Sequence, residues 1–201
     1  FFFSIIKKKP TNILDIGCGT GKSTEPLARR GIAVIGCDVD WRMLKEARRR
    51  AKLLRLPIQY KRARAEHLPF KEKTFDAVTI GSAFHWFANL KTLREIKRVL
   101  EPGGLLFIFN RFPPNKKAEK LKAVEAPLFR RYGIPFHPKR VKSLTYFTSL
   151  LRKAGLKNVR VRRIPYTTKV SLRERVGYIK TTSAYASLSQ TAQREVLEQA
   201  E

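Results

Sequence analysis

The first half of the chain alternates between short apolar runs and longer segments whose apolar residues recur at helical spacing. The apolar runs predict five strands, at Asn12–Ile16, Ile32–Cys37, Ile58–Lys61, Phe75–Ile80 and Leu105–Phe109. The helical spacing predicts helices at Lys22–Arg30, Trp41–Leu56 and Leu93–Leu100. Nearly continuous apolar strands separated by helices are typical of parallel strands covered on both faces. The pattern therefore predicts an α/β fold built on a doubly wound, mostly parallel sheet.

The pattern changes after Asn110. Residues 111–138 contain five prolines and several aromatic residues, which favours a lid inserted after the fifth strand, over residues 111–142, instead of another strand–helix unit. Beyond it, the sequence predicts a helix at Lys142–Gly155, a strand at Val159–Ile164 and a helix at Ser171–Glu201. The length of 201 residues suits a single domain over residues 1–201. The start without Met and the end inside a helical pattern indicate a fragment.

Composition makes the chain globular and strongly basic. Hydrophobic residues make up 43% and charged residues 29%, and no apolar run approaches the ~20 residues that cross a bilayer, so a cytoplasmic protein without a transmembrane segment is expected. With 43 Lys and Arg against 16 Asp and Glu, the net charge of +27 favours an anionic partner such as RNA or an anionic lipid surface. The alternative is a solvated surface of biased composition. Cys18 and Cys37 form no metal-ligand pattern with the three histidines, and no metal is expected.

A glycine turn joins the first predicted strand to the first predicted helix. Gly17, Gly19 and Gly21 have the spacing Gly-x-Gly-x-Gly, which lets the backbone come close to a nucleotide. A dinucleotide-binding turn would have its last glycine where Lys22 stands, so a nicotinamide cofactor is disfavoured. Asp38 ends the second strand about 20 residues further on, at the position from which a carboxylate reaches ribose hydroxyls.

Several segments carry a resemblance to a known family. They are Ile13–Gly21; Val34–Leu44, which reads V-I-G-C-D-V-D-W-R-M-L; Ala65–Phe70 with Thr74–Asp76; Gly81–Phe87; and Leu100–Gly104. With these segments at the expected intervals, the sequence resembles the class I, Rossmann-like methyltransferases. More narrowly, it looks like the small-molecule branch that includes the ubiquinone-biosynthesis and trans-aconitate methyltransferases. The resemblance implies a Rossmann-like methyltransferase fold and S-adenosylmethionine as the cofactor, which has no phosphate and is expected to need a different glycine spacing.

The resemblance also implies which residues contact this cofactor. They are Asp15, Gly17, Cys18, Gly19, Gly21, Asp38, Val39, Met43, Ala65, Glu66, Ser82, Ala83 and Trp86. Asp15 has two interpretations, since it either holds the glycine turn or faces the cofactor's ammonium group. Arg64 stands where relatives often carry an acidic residue beside the adenine. The adenine is then held by the Ala65 backbone and Glu66, or the alignment is shifted by one residue.

Methyl transfer from a sulfonium is an in-line displacement, for which the protein chiefly supplies approach geometry and a dry cavity. A general base is needed only if the acceptor must lose a proton, and His85 is the candidate. The favoured alternative is that His85 and Trp86 line the cofactor pocket. In the predicted lid, Phe129, Tyr132 and Phe136 either surround an apolar acceptor or form the core of the lid.

Four functions remain to be compared. The leading hypothesis is a methyltransferase acting on a small molecule with a carboxylate, phenol or quinone-like acceptor. The alternative is an RNA methyltransferase, indicated by the charge, but Gly81–Phe87 stands where an Asn-Pro-Pro-Tyr-type loop would act on an exocyclic amine. A third hypothesis is a binding module without turnover, supported by Arg64. The glycine spacing disfavours the fourth, a dinucleotide-dependent oxidoreductase.

Overall fold

A computed structural model describes residues 10–110, 143–164 and 189–198. The chain divides into two compact units. The first comprises residues 1–111 and 142–159, and the second comprises residues 112–141 and 160–201. The predicted lid over residues 111–142, with its three aromatic candidates, lies outside the described residues. The single-domain prediction for residues 1–201 stays a prediction.

The first unit contains a parallel sheet of five strands in the order β3-β2-β1-β4-β5. The strands are β1 (Asn12–Ile16), β2 (Ala33–Asp38), β3 (Gln59–Arg62), β4 (Phe75–Gly81) and β5 (Leu100–Phe109). In this order the chain first moves outward from β1 to β3 and then returns to the other side of β1 with β4. The predicted doubly wound α/β fold is thus confirmed. Such a sheet binds ligands at the carboxyl ends of its strands, beside the point where the order reverses.

Helices connect the strands of the first unit. They are α1 (Glu25–Ala28), α2 (Trp41–Leu53), α3 (Phe84–Phe87), α4 (Leu90–Val99) and, after residues 111–142, α5 (Leu144–Lys153). Three of them begin at a polar cap: the side chains of Asp40, Asn89 and Ser143 each accept a hydrogen bond from a backbone amide in the first turn of α2, α4 and α5, respectively. In the second unit, the described residues contain one helix, α6 (Gln190–Glu198).

Several predicted elements differ from the structure, and the fifth strand, for example, begins at Leu100 instead of Leu105. The helix predicted at Lys22–Arg30 shrinks to α1, because the hydroxyls of Ser23 and Thr24 bind the Asp15 carboxylate and hold the preceding residues in turns. The helix predicted to reach Leu56 ends at Leu53, shortly before Arg55 takes a left-handed φ of 52°. The strand predicted at residues 159–164 is wrong, since these residues pair with no strand among those described and are mostly exposed.

Side chains of the central strand pack on both faces of the sheet. Ile13 belongs to one apolar cluster, with Leu27 of α1, and Leu14 belongs to the main cluster, with Leu93 and Ile96 of α4. The main cluster also receives Phe147 of α5. Alternate residues of a strand point to opposite faces, so β1 is covered on both sides and holds the adjoining turn firmly. Among the described residues, no helix combines the length and apolarity needed to cross a membrane.

Candidate functional site

The predicted site segments meet at the carboxyl edge of the sheet. The glycine turn follows β1, Asp38 ends β2 and is followed by Val39, and the Ser82–Phe87 segment follows β4. Backbone hydrogen bonds join these ends, since the amides of Gly17 and Cys18 donate to Cys37 O at 2.8 and 3.0 Å. The loop after β3 is attached in the same way, because Ala63 N–H donates to Asp38 O at 3.1 Å. Parallel strands place their carboxyl ends on one side, which brings segments far apart in sequence together.

The three glycines of the turn have different reasons to be glycine. All take positive φ, 69° at Gly17, 54° at Gly19 and 84° at Gly21. A Cβ on Gly17 would lie 2.5 Å from Cβ of Ala83, and a Cβ on Gly21 would meet the hydroxyl of Tyr60. A Cβ on Gly19 would meet nothing within 4 Å. Gly17 and Gly21 are therefore required by packing within the protein, whereas Gly19 leaves its backbone open to a ligand.

Asp15 lies beneath the turn. Its side chain has no exposed surface and accepts hydrogen bonds from the hydroxyls of Ser23 (2.6 Å), Thr24 (2.7 Å) and Thr79 (2.9 Å). Burial raises the pKa of Asp15, and the three hydroxyls act in the opposite direction. The carboxylate thus ties the segment before α1 to β4. Of its two interpretations, this geometry favours holding the turn, because complete burial leaves no open path to a ligand.

The Asp38 carboxylate fixes the backbone around it. Its Oδ2 accepts from Gly19 N–H and its Oδ1 from Asp40 N–H, both at 2.9 Å. Each carboxylate oxygen can accept a further hydrogen bond, so both remain able to bind hydroxyl groups. Asp38 therefore combines two roles: it holds the open glycine in position and presents an acceptor beside it. The sequence predicted the second role and gave no sign of the first.

Large apolar side chains stand exposed at this edge. Val39 is 54% exposed and Met43 is 38% exposed, and both were predicted to contact the cofactor. Trp86 is 72% exposed and Phe109, at the end of β5, is 50% exposed. Concentrated apolar exposure marks a surface that binds a ligand or a partner. Phe109 was not among the predicted residues, although its place at the carboxyl end of the apolar run Leu105–Phe109 is the signal that could have identified it.

The loop after β3 presents Ala65 and Glu66. Ala65 is buried, and the Glu66 carboxylate accepts a hydrogen bond from Asn89 Nδ2 at 3.1 Å. Asn89 also caps α4, so its side-chain amide joins this loop to the beginning of α4. Arg64 is 3.8 Å from the Glu66 carboxylate, and its side chain is 74% exposed. Arg64, which stands where relatives often carry an acidic residue, therefore extends its guanidinium group into solvent. Its ion pair with Glu66 is long and weak.

The segment after β4 begins with a strained residue. Ser82 has a φ of 53°, and its N–H donates to Phe109 O at 2.8 Å. This conformation costs a non-glycine residue energy and re-aims the chain into α3. In α3, the rings of His85 and Trp86 lie 4.9 Å apart, and partial burial lowers the pKa of His85. The neutral imidazole, which can accept a proton, is thus favoured at neutral pH.

The two cysteines are buried and belong to different apolar clusters, Cys18 with α2 and Cys37 with the main cluster. Burial raises the pKa of both thiols, that of Cys37 to about 12. Thiols of such high pKa are poor nucleophiles at neutral pH. Cys18 contributes its backbone to the turn and its side chain to packing.

Known proteins resemble the chain over this sheet. Residues 14–108 match the family described as a methyltransferase domain. A demethylmenaquinone methyltransferase of Thermus thermophilus is 42% identical over 116 residues, covering 56% of this chain and 53% of the relative. One from Tropheryma whipplei is 36% identical over 135 residues, covering 65% and 53%. The chain thus spans about half the length of these curated relatives.

The fold also matches solved structures. The crystal structure of a SAM-dependent methyltransferase from Aquifex aeolicus has a TM-score of 0.56 and 23% sequence identity, covering 76% of this chain and 74% of that chain. At this identity the similarity concerns the fold. It extends beyond the residues that the family match covers.

Proposed function

Residues 14–108 match the methyltransferase-domain family, and on that premise we propose that this chain is a class I methyltransferase that transfers a methyl group from S-adenosylmethionine to a small-molecule acceptor. One observation carries the proposal: the open backbone of Gly19 is held by the Asp38 carboxylate at the carboxyl edge of the sheet. An open turn beside an acceptor carboxylate fits a nucleoside ribose. Each carboxylate oxygen of Asp38 can accept a further hydrogen bond, which suits two ribose hydroxyls. The negative charge of the carboxylate would repel a 2′-phosphate.

The neighbouring residues fit the rest of the cofactor. In the proposed arrangement Asp38 binds the ribose, Gly17–Gly21 line the turn, and the exposed apolar groups of Val39 and Met43 contact the adenine. The Ala65 backbone and the Glu66 carboxylate are the polar groups proposed for the adenine edge. The hydrogen bond from Asn89 holds the Glu66 carboxylate in place. Glu66 is thereby proposed to supply the acidic group at the adenine that Arg64, whose side chain extends into solvent, does not supply.

When bound, S-adenosylmethionine supplies a methyl group already activated by its positive sulfur. The chain itself has to orient the acceptor and exclude water. The segment proposed to face the acceptor is Ser82–Trp86. Within it, the side chain of Ala83 packs against Gly17 of the glycine turn. The lowered pKa of His85 favours its neutral form at pH 7, in which it can take a proton from a phenolic or enolic acceptor, or line the pocket for an acceptor that needs no base.

The acceptor is proposed to be quinone-like or phenolic. The support is the demethylmenaquinone named for the relatives, together with the exposed apolar groups at the site edge. A carboxylate acceptor remains the second choice. These relatives favour a small molecule over RNA. Cytoplasmic localisation stays a prediction.

Calorimetric titration tests the cofactor. S-Adenosylmethionine and S-adenosylhomocysteine should bind to the full chain, and NAD should not. Tight binding of NAD without binding of the other two would refute the proposal. A methyl-transfer assay with labelled cofactor then compares acids, phenols, quinones and RNA. Label incorporated only into RNA would exclude the small-molecule acceptor and leave the cofactor assignment intact.

A further inference from the structure

The outward face of α2 is strongly basic. The helix buries Leu44, Ala47 and Ala51, which are spaced by three and four residues. At about 100° per residue, six exposed residues of α2 fall within one arc of about 120° that contains none of the buried residues. This arc contains Trp41, Arg42, Lys45, Arg49, Lys52 and Leu53, all of them exposed. We refer to these six residues as the α2 face.

Acidic groups neutralise only part of this charge. Asp40 pairs with Arg42 at 2.8 Å and Glu46 pairs with Arg49 at 2.7 Å. Both pairs are exposed, so solvent weakens them. Within the part of the chain that the structure describes, no acid lies within ion-pair distance of Lys45 or Lys52. The α2 face therefore keeps a positive potential.

The edge strand extends the same charge. β3 is at the end of the sheet and packs against α2, since Arg48 donates to Tyr60 O at 2.8 Å. Its residues Lys61 and Arg62 are exposed. Over residues 41–64 the sequence has ten Lys or Arg residues and one Glu. Basic residues are thus concentrated on one side of the first unit, which is the condition for binding an extended anionic surface.

Apolar side chains at both limits of the α2 face distinguish between anionic surfaces. Trp41 is 55% exposed and Leu53 is 67% exposed. Exposed Trp and Leu beside lysines favour a membrane interface, where cations meet headgroups and apolar groups enter the acyl boundary. RNA would attract the same cations and could stack on Trp41, but it offers no apolar environment to Leu53.

We propose that the α2 face docks on an anionic lipid bilayer. Lys45 and Lys52 lie near the headgroups, together with the paired Arg42 and Arg49, and Trp41 and Leu53 enter the interface. Electrostatic attraction supplies most of the affinity, since two apolar side chains bury little area. Trp41 lies in the sequence between Val39 and Met43, which are proposed to contact the adenine, so docking sets the carboxyl edge of the sheet close to the lipid surface.

Vesicle binding tests the proposal on the full chain. Flotation should show binding to vesicles of phosphatidylcholine with phosphatidylglycerol, weak binding to phosphatidylcholine alone, and release by salt. The double variant Lys45→Glu and Lys52→Glu should bind the anionic vesicles about 30-fold more weakly or worse, at about tenfold for each ~1.4 kcal/mol lost. Both side chains are exposed, so the thermal unfolding temperature should stay near that of the wild type.

A matched control carries the same change in net charge elsewhere. Lys91 and Arg94 are exposed on α4, which packs on β5 at the other edge of the sheet. Lys91→Glu with Arg94→Glu should change vesicle affinity by no more than about threefold. An equal loss in both double variants, or failure of the wild type to bind anionic vesicles, would overturn the proposal.

The variant Leu53→Ser separates lipid from nucleic acid. It should weaken vesicle binding several-fold, because it removes the apolar group that enters the interface. Binding to a single-stranded RNA probe should not respond to this change. If RNA binds tightly through Lys45 and Lys52 and vesicles do not, the occupant is nucleic acid and the lipid proposal is wrong.

Discussion

Replacing Gly19 by Ala should separate ligand binding from folding. Gly19 has a φ of 54° and open space where a Cβ would stand, so the substitution adds left-handed strain without a clash inside the protein. This strain costs about 1–2 kcal/mol of folding free energy. In the complex, however, the added methyl group occupies space over the turn. Overpacking there should cost about 1–3 kcal/mol, so S-adenosylmethionine should bind roughly 5- to 150-fold more weakly.

Gly31 supplies the matched control. Its φ is 74°, a Cβ would again meet nothing within 4 Å, and it precedes β2 at the amino edge of the sheet. Gly31→Ala should therefore lose the same folding free energy as Gly19→Ala and keep the wild-type affinity. Gly17→Ala forms the opposite case, because its Cβ would lie 2.5 Å from Ala83. Strain and overpacking together should cost it about 2–5 kcal/mol of folding free energy.

Two measurements are needed for each variant: urea unfolding without ligand and calorimetric titration with S-adenosylmethionine. Wild-type affinity in Gly19→Ala would refute the reasoning, since the open face of the turn would then not be the cofactor face. A similar loss of affinity in Gly31→Ala would also refute it, because the effect would come from general destabilisation.

Two further predictions concern carboxylates. Asp38→Ala should weaken S-adenosylmethionine binding by about 1–3 kcal/mol in calorimetry. Asp76→Ala is its control, because this carboxylate also accepts backbone hydrogen bonds, from Thr11 and Asn12, but at the amino edge; equal losses would remove Asp38 from the site. A hydrogen bond from Arg98 lowers the pKa of Glu95 from 4.5 to about 2, so its stabilising contribution is complete above about pH 4.5 and is lost as the pH falls towards 2. Glu95→Gln should therefore reduce the free energy of unfolding at pH 7 by on the order of 2 kcal/mol and much less at pH 2.5; the same deficit at both pH values in urea unfolding would contradict this.

The sequence by itself determined the order and type of the elements in the first half. The five strands were predicted because their apolar runs are nearly continuous, and the ends of β1 and β2 were located to within a residue or two. The glycine spacing and Asp38 indicated a nucleotide-type binding site, because these residues lie close to the ends of strands that the sequence had located. α1 was mispredicted because tertiary hydrogen bonds from Ser23 and Thr24 to Asp15 hold the residues before it in turns. The stretch 159–164 was mispredicted because its apolar residues find no strand partner among the described residues.

Tertiary structure decided which contacts the predicted site residues make. The sequence left Asp15 with two interpretations, and the hydroxyl of Thr79, 64 residues away, is one of the three that bind its carboxylate beneath the turn. Gly17 and Gly19 look alike in sequence, and only the position of Ala83 separates the packed glycine from the open one. The physical reason is that the local sequence pattern encodes the type of secondary structure and the face on which each side chain lies. The hydrogen-bond partners and steric neighbours of a side chain come instead from segments that the pairing of strands brings together across the sheet.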